Sequence, residues 1–189
     1  MQSQKYISLD TPRLRLRRLI DADLLPMLAY RNDPEVTRYQ TWHSITERQL
    51  YDFIQEQRRL EPGVSGKWFQ LAMELKENHQ IIGDLGLKIS LEDPLQAEIG
   101  YTLSRPNQKK GLAFEAVSRM LDYIFTELGL HRIIAITDTR NDPSIALLER
   151  LGMRCEAHFR QSYWDTGQWT DEFLYAILEQ EWLRRNEEG

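Results

Sequence analysis

The chain contains the segment Leu103-Ser104-Arg105-Pro106-Asn107-Gln108-Lys109-Lys110-Gly111-Leu112-Ala113, which joins a predicted strand directly to a predicted helix. Backbone N–H groups at a helix N-terminus lack carbonyl partners, and the helix dipole is positive there, so this junction can hold an anion. Gly111 allows the backbone to approach a phosphate closely, and Lys109 and Lys110 add positive charge. An ordinary turn with two solvated lysines has the same composition, so the segment alone leaves both interpretations open.

Periodic patterns on both sides of this segment place it inside a mixed α/β domain. Apolar and polar residues alternate over Gln96–Leu103, which predicts a half-buried strand, and an apolar stripe at helical spacing runs from Ala113 to Leu128 before Gly129. Other strands are predicted near Leu14–Leu19, Trp68–Leu75, Ile81–Ile89, Arg132–Asp138, Met153–Trp164 and Trp169–Leu178. Other helices are predicted at Asp21–Tyr30, from a Ser44–Glu47 capping box to Leu60, and from an Asp142 cap to Gly152, with Glu179–Gly189 as a solvated tail.

The composition is typical of a globular protein with one domain. With 189 residues, 41% apolar and 28% charged, the chain can bury a core without a disulfide or a metal. Its net charge of −5 argues against general nucleic-acid binding, and its longest apolar run, Phe173–Leu178, is far below the roughly 20 residues that span a bilayer. Because Met1–Lys5 lacks the apolar region of a secretory signal, a cytoplasmic protein is expected.

The histidines and the cysteine predict neither a metal centre nor covalent catalysis. The four histidines lie far apart in the sequence, without the spacing of zinc ligands. Cys155 is the only cysteine, so no internal disulfide is possible, and it has no obvious histidine partner to activate its thiol. We expect Cys155 to be a small buried apolar residue.

The motif Gln108-x-x-Gly111-x-Ala113 resembles the loop that binds the acyl-CoA pyrophosphate in N-acetyltransferases of the GNAT superfamily. Further motifs, in the same order, are similar to those of the RimJ/RimL branch, the ribosomal-protein alanine N-acetyltransferases. They are Thr11-Pro12-Arg13-Leu14-Arg15-Leu16, Asn32-Asp33-Pro34-Glu35-Val36, Ile82-Gly83, Glu98-Ile99-Gly100-Tyr101, Asn141-x-x-Ser144 and Glu149-Arg150-Leu151-Gly152-Met153. The resemblance covers essentially residues 11–178, and the ordered set is specific although no single motif is.

The resemblance implies a fold and a cofactor site. The fold is α/β (α+β), a mostly antiparallel sheet of seven strands that splays between the fourth and fifth strands, with about four helices. One domain would span residues 1–189, with its core at about 11–178. Acetyl-CoA would lie in the splayed gap, held by backbone groups of one strand, by the pyrophosphate loop and by the start of a later helix. The implied residues are Ile99, Tyr101, Leu103, Gln108, Lys109, Lys110, Gly111, Leu112, Ala113, Asn141 and Ser144.

The resemblance also implies two catalytic residues. Glu98 is the candidate general base, since a free α-amine with a pKa near 7.7–8.0 is partly protonated at pH 7 and must lose a proton to attack a thioester. Many relatives use a tyrosine as the general acid, but the matching position here is Leu148, so the acid role falls to Ser144. Both residues have structural alternatives: Glu98 as an outward-facing member of a charge pair, and Ser144 as a polar residue in the first helical turn.

The function implied is transfer of an acetyl group from acetyl-CoA directly to a primary amine, without a covalent acyl-enzyme or a metal. The acceptor is either a protein N-terminal α-amine or a small-molecule amine, and the protein is a monomer or a homodimer. Trp42, Trp68, Trp164 and Trp169 could line the acceptor cleft or pack in the core. The main alternative is a non-catalytic acyl-CoA-binding or regulatory module of the same fold. A nucleotide-binding domain is a weaker alternative, since the loop lacks a magnesium-binding Ser/Thr after a lysine.

Overall fold

The computed structural model describes residues 7–188, with side chains up to Arg185. Residues 1–6 and 189 of the predicted domain lie outside this described part. The strands are β1 Ser8–Asp10, β2 Leu14–Arg18, β3 Trp68–Leu75, β4 Ile81–Ile89, β5 Gln96–Leu103, β6 Arg132–Asp138, β7 Arg154–Asp165 and β8 Gln168–Leu178. The α-helices are α1 Leu24–Arg31, α2 Pro34–Thr37, α3 Glu47–Arg59, α4 Leu112–Asp122, α5 Asp142–Arg150 and α6 Glu179–Glu188. Short 3₁₀ turns cover Asp21–Asp23 and Arg105–Asn107, and a π turn at Tyr123–Glu127 extends α4.

The eight strands of residues 7–188 form one sheet in the order β1-β2-β3-β4-β5-β6-β8-β7. All neighbours are antiparallel except β5 and β6, which are parallel. The predicted fold class is therefore confirmed, but the predicted counts of seven strands and four helices are low. The extra strand is β1, which the Thr11 turn folds back onto β2; the extra helices are α2, which Asp33 caps, and α6.

The splayed gap also lies where the resemblance placed it, because the predicted fourth and fifth strands are β5 and β6 once β1 is counted. The ladder between β5 and β6 contains three residue pairs, ending at Glu98 and Ile134. Beyond Glu98, β5 continues for five residues with β4 as its partner, while β6 pairs with β8. The backbone edges of β5 and β6 therefore face each other across an opening, where an extended molecule could pair with them.

Two apolar clusters pack on opposite faces of this sheet. On one face, α1 and α3 cover Ala72 of β3, with Met27, Leu50 and Ile54 buried between them. On the other face, α4 and α5 cover the larger core, which contains Leu71 of β3 and extends to Ile7 and Trp182. Successive residues of a strand point to opposite faces, which is why neighbours such as Leu71 and Ala72 belong to different clusters.

Two helix caps differ from the prediction. The capping box of α3 is formed by Thr46 and Gln49, not by Ser44 and Glu47, because both Ser-x-x-Glu and Thr-x-x-Gln occur in this stretch and the helix starts at the second. Helix α5 is capped by Asn141, whose side chain accepts a hydrogen bond from the Ser144 N–H, and not by Asp142.

The C-terminal segment is not a solvated tail as predicted. It forms α6, in which Trp182 is 3% exposed and donates from Nε1 to Asp122 of α4 at 2.8 Å. One apolar residue of that size in a charged segment is a weak sequence signal, which explains the error. Within residues 7–188, no helix has the length and apolarity needed to cross a membrane.

Candidate active site

A cavity of about 530 Å³ opens where β5 and β6 separate. Residues 98–102 of β5 form one side and residues 135–138 of β6 the other. Asn141 and Ser144 approach from α5, residues 39–42 from the loop after α2, and Tyr163 and Thr170 from the β7–β8 hairpin. The cavity therefore lies in the opening of the sheet, and side chains from several elements line it.

The two predicted catalytic residues enter this cavity from opposite faces of the sheet. Glu98 faces the side covered by α1 and α3, since its carboxylate contacts Lys88 of β4. Tyr101 lies three positions further along β5 and faces the α5 side, where its hydroxyl contacts Ser144. The opening between β5 and β6 thus joins a carboxylate on one face to a hydroxyl on the other.

Glu98 belongs to a row of three side chains that crosses the sheet. Trp68, Lys88 and Glu98 are direct neighbours on β3, β4 and β5. The Lys88 Nζ lies 2.5 Å from the Glu98 Oε2 and 4.7 Å from the centre of the Trp68 ring. The Trp68 ring can lie against the sheet because Gly86 has no side chain. A Cβ at Gly86 would come within 2.9 Å of the ring. The charge-pair alternative for Glu98 is therefore present in the structure, but the pair lines the cavity.

A buried ion pair forms the wall behind this row. Arg31 of α1 donates from Nη2 to Asp84 Oδ1 at 2.8 Å, and the Tyr30 hydroxyl donates to Asp84 Oδ2 at 2.6 Å. Burial, together with the negative charge of Asp84, raises the pKa of Tyr30 well above its ordinary value. The Arg31 guanidinium lies 4.7 Å from the Trp42 ring centre and 5.0 Å from that of Phe53, so its flat faces are covered by aromatic rings.

On the other side of the opening, Ser144 is held at the N-terminal turn of α5. Its N–H lies 3.0 Å from the Asn141 carbonyl and 3.3 Å from the Asn141 side-chain oxygen. Its Oγ lies 2.7 Å from the Tyr101 hydroxyl. Burial raises the pKa of Tyr101 to about 12, although the contact with Ser144 acts in the opposite sense. Leu148, one turn further along α5, is fully buried and cannot act as an acid.

The predicted pyrophosphate loop begins beyond the end of β5. Lys109 and Gly111 have left-handed backbone angles, with φ of 61° and 76°. Gly111 is the N-cap of α4, and the first hydrogen bond inside the helix runs from the Glu115 N–H to the Gly111 carbonyl. The N–H groups before Glu115 therefore point out of the helix start, where an anion can accept from them. The Gln108 amide turns back to donate to the Leu103 carbonyl at 3.0 Å.

Arg13 and Glu115 fix this loop against β2. Glu115, in the first turn of α4, accepts from the Arg13 Nε at 2.6 Å and from the Thr11 hydroxyl at 2.5 Å. The Arg13 Nη1 donates to the Lys110 carbonyl at 3.0 Å. Burial of Glu115 opposes its ionisation, but these donors lower its pKa below the ordinary value. The Thr11–Leu16 motif therefore supports the loop from an element distant in the sequence.

The structure brings part of the predicted set into one cavity. Glu98, Ile99, Tyr101, Asn141 and Ser144 all line it. The remaining cofactor residues, Leu103 and Gln108 to Ala113, lie outside its lining, at the adjoining end of β5 and the start of α4.

Several other side chains differ from expectation. Trp42 and Trp68 line the cavity, whereas Trp164 and Trp169 are 55% and 56% exposed on the outer face of the hairpin. The prediction that Cys155 is buried is wrong, because it lies on β7, the exposed edge strand.

Sequence reasoning did not identify Arg31, Asp84 and Lys88 as part of the site. A register between β4 and β5 would have placed Lys88 opposite Glu98. The pair of Arg31 and Asp84 joins residues 53 positions apart, for which the sequence carries no local signal.

Comparison with known proteins agrees with this geometry. Residues 13–154 match the acetyltransferase (GNAT) domain family. The chain is 36% identical over 178 residues to an N-acetyltransferase of Bacillus licheniformis, covering 93% of this chain and 98% of that protein. The chain therefore belongs to the GNAT family of N-acetyltransferases, which use acetyl-CoA.

Solved structures show the same fold. A GNAT-family acetyltransferase from Bacillus anthracis is 29% identical, with a TM-score of 0.81 over 92% of this chain and 99% of that one. A spermidine N-acetyltransferase from Vibrio cholerae, solved in complex with CoA and spermine, has a TM-score of 0.79 at 23% identity, over 92% and 99% of the two chains. At that identity the second likeness concerns the fold alone.

Proposed function

We propose that this N-acetyltransferase transfers the acetyl group directly from acetyl-CoA to a primary amine while both are bound. The observation that carries the proposal is the position of Glu98 and Ser144, which enter one cavity from opposite faces of the sheet. An amine that enters from the α1–α3 face can meet a thioester that lies in the gap between β5 and β6. A covalent acyl-enzyme is not required, and Cys155 does not line the cavity.

Glu98 takes the proton from the attacking amine, either directly or through a water molecule. The Lys88 ammonium group lies 2.5 Å from the Glu98 Oε2 and holds the carboxylate at the edge of the opening. The Trp68 ring contacts the Lys88 ammonium group, whose Nζ lies 4.7 Å from the ring centre, and supplies an apolar floor for the acceptor. Lys88 is therefore a positioning residue for the base.

Ser144 acts on the leaving sulfur as the C–S bond breaks. A CoA thiolate can leave without full protonation, so a hydrogen bond from the Ser144 hydroxyl is sufficient. Its place in the first turn of α5 adds the positive end of the helix dipole. The buried Leu148 supports this role for Ser144, since a tyrosine acid is absent from that position.

The remaining residues hold the cofactor. Backbone groups of Tyr101 and Leu103 pair with the pantetheine arm, and an N–H near Ile99 polarises the thioester carbonyl. Asn141 contacts the pantetheine from the α5 side. The pyrophosphate accepts from the backbone of the loop from Gln108 to Ala113, with Lys109 and Lys110 nearby. The outward-pointing N–H groups before Glu115 support this assignment.

The acceptor is either a protein N-terminal α-amine, as the RimJ/RimL-like motifs suggest, or a small amine such as the substrate named for the Vibrio cholerae relative. To identify it, a cell extract is incubated with this protein and isotopically labelled acetyl-CoA, and labelled products are found by mass spectrometry. Label in an amide that depends on active protein supports the proposal, and its absence contradicts it. A single domain over the whole chain, a cytoplasmic location and a monomeric or homodimeric state remain predictions.

Substitution of Gly111 tests the pyrophosphate loop. Gly111→Val should weaken acetyl-CoA binding at least about tenfold, or 1.4 kcal/mol, measured by calorimetry. A Cβ itself would have room, with Arg13 Nη2 nearest at 3.5 Å, but a branched residue strains the left-handed backbone and projects toward the phosphate. Gly129→Val is the matched control, since Gly129 also has a left-handed φ of 66° and nothing within 4 Å. Equal acetyl-CoA affinity in the two variants would show that the loop does not bind the pyrophosphate.

Removal of the two loop lysines tests their electrostatic role. Lys109→Ala with Lys110→Ala should weaken CoA binding roughly three- to tenfold at low salt and less at high salt, because exposed charges are screened. The loss should be larger for CoA than for dephospho-CoA if a lysine reaches the 3′-phosphate. A loss that does not depend on salt would indicate that the substitutions act through the stability of α4.

A further inference from the structure

Tyr101 joins the two sides of the opening in the sheet. It belongs to β5, beyond the last residue pair with β6, yet its hydroxyl lies 2.7 Å from the Ser144 Oγ of α5. The Ser144 carbonyl is more distant, at 3.4 Å. This contact spans 43 residues of sequence and lies in the lining of the cavity. A side chain that bridges the opening at this point acts where the thioester would lie.

We propose that the Tyr101 hydroxyl donates to the Ser144 Oγ and so turns the Ser144 hydroxyl hydrogen toward the leaving sulfur, an inference that rests on the proposed function. Tyr101 is then a positioning residue that acts through Ser144. In a Tyr101→Phe variant the ring would fill the same space but could not donate a hydrogen bond to Ser144, so the proposed role depends on the Tyr101 hydroxyl alone.

The direction of the hydrogen bond follows from acidity. A serine hydroxyl can either donate or accept, and so can a phenol. A phenol, even with its pKa raised to about 12, is more acidic than an aliphatic alcohol, so Tyr101 is the better donor of the two. The same raised pKa keeps Tyr101 protonated at neutral pH. Once Ser144 accepts from Tyr101, its own hydrogen is free to donate elsewhere.

The step keeps its atoms and charges in balance. The amine nitrogen forms a C–N bond to the acetyl carbon and the C–S bond breaks, with its electron pair left on sulfur as a thiolate that accepts a hydrogen bond from Ser144. Neither Ser144 nor Tyr101 gives up its proton. The proton that finally neutralises the thiolate comes from the amine, by way of Glu98 and solvent. Because the leaving group is the same for every acceptor, the contribution of Tyr101 should not depend on the acceptor.

The experiment measures release of free CoA by the wild-type protein, Tyr101→Phe, Ser144→Ala and the double variant. Four acceptors are compared: spermidine, a peptide that begins with alanine, the amine that the labelled cell extract identifies, and water alone. Tyr101→Phe should lower the maximal rate about tenfold with every acceptor that the wild-type protein uses, while acetyl-CoA affinity stays within about twofold. Ser144→Ala should lower the maximal rate of CoA release by a similar factor. The double variant should be no slower than Ser144→Ala, since residues that act as a unit are not additive.

A matched control is Tyr175→Phe, which removes a hydroxyl that bridges β8 to Glu149 of the same helix at 3.2 Å. It should leave the rate of CoA release unchanged. Wild-type rates in Tyr101→Phe, or losses that multiply in the double variant, would overturn the inference alone. Transfer to none of the amines, including any found in the labelled extract, with CoA still released to water, would overturn the proposed function, and the effect of Tyr101→Phe on CoA release could still be measured. No CoA release from the wild-type protein with any acceptor would overturn both.

Discussion

Glu98→Gln should lower kcat by roughly 10²–10⁴-fold, the usual contribution of a general base. The amide retains the size of the side chain and its place on β5, but it cannot accept the amine proton. Acetyl-CoA affinity should be nearly unchanged, because Glu98 faces the α1–α3 side of the sheet, where we propose that the acceptor binds, and Ser144 lies on the other side. Steady-state rates with acceptors of different amine pKa separate the ionisation of the amine from that of the enzyme.

A suitable control for this substitution is Glu77→Gln, the same chemical change in the exposed β3–β4 turn, which should have no effect on kcat. Wild-type kcat in Glu98→Gln would contradict the assignment. Asp165 and Glu172 also line the cavity and would then be tested as the base. Asp171 is a weaker candidate, since it is held by His158 and by the Gln161 N–H instead.

Asp84→Ala should lower the free energy of unfolding by about 3–5 kcal/mol, the cost of breaking a buried ion pair by removing one partner. The Arg31 side chain is 7% exposed, so its charge would be left in the interior without a counterion. The Tyr30 hydroxyl would lose its acceptor at the same time. The loss can be measured by urea unfolding.

The comparison variant is Asp52→Ala, which breaks the exposed pair between Asp52 and Arg48 on α3 and should change the stability little. An Asp84→Ala protein as stable as Asp52→Ala would show that Arg31 finds water or another partner. The aromatic rings of Trp42 and Phe53, which cover the guanidinium, would then account for the stability of this wall.

The strands near the site could be predicted from the sequence because each has a strong local pattern. The predicted bounds Trp68–Leu75, Ile81–Ile89, Gln96–Leu103 and Arg132–Asp138 are those of the structure. Apolar alternation or a continuous β-branched run determines such elements with little help from tertiary contacts. The same reasoning missed β1, whose three residues are too few for a periodic pattern.

Contacts within the site were less predictable. The Tyr101–Ser144 and Arg31–Asp84 contacts join elements 43 and 53 residues apart, and they depend on how the helices pack against the sheet. The pair of Lys88 and Glu98 depends on the register of β4 with β5, which the hydrophobic pattern and the loop between the strands determine together. The family resemblance supplied Glu98 and Ser144, but it did not supply the contact of Glu98 with Lys88 or that of Ser144 with the Tyr101 hydroxyl.

Direct transfer in a ternary complex is tested most directly by a single turnover. The protein, in excess over labelled acetyl-CoA, is quenched at successive times with and without a primary amine that it acetylates. Without the amine, we expect no label to become covalently attached to the protein. With the amine, label should pass from acetyl-CoA to the amide in one phase. Labelled protein that forms before the amide and is chased by added amine would contradict direct transfer.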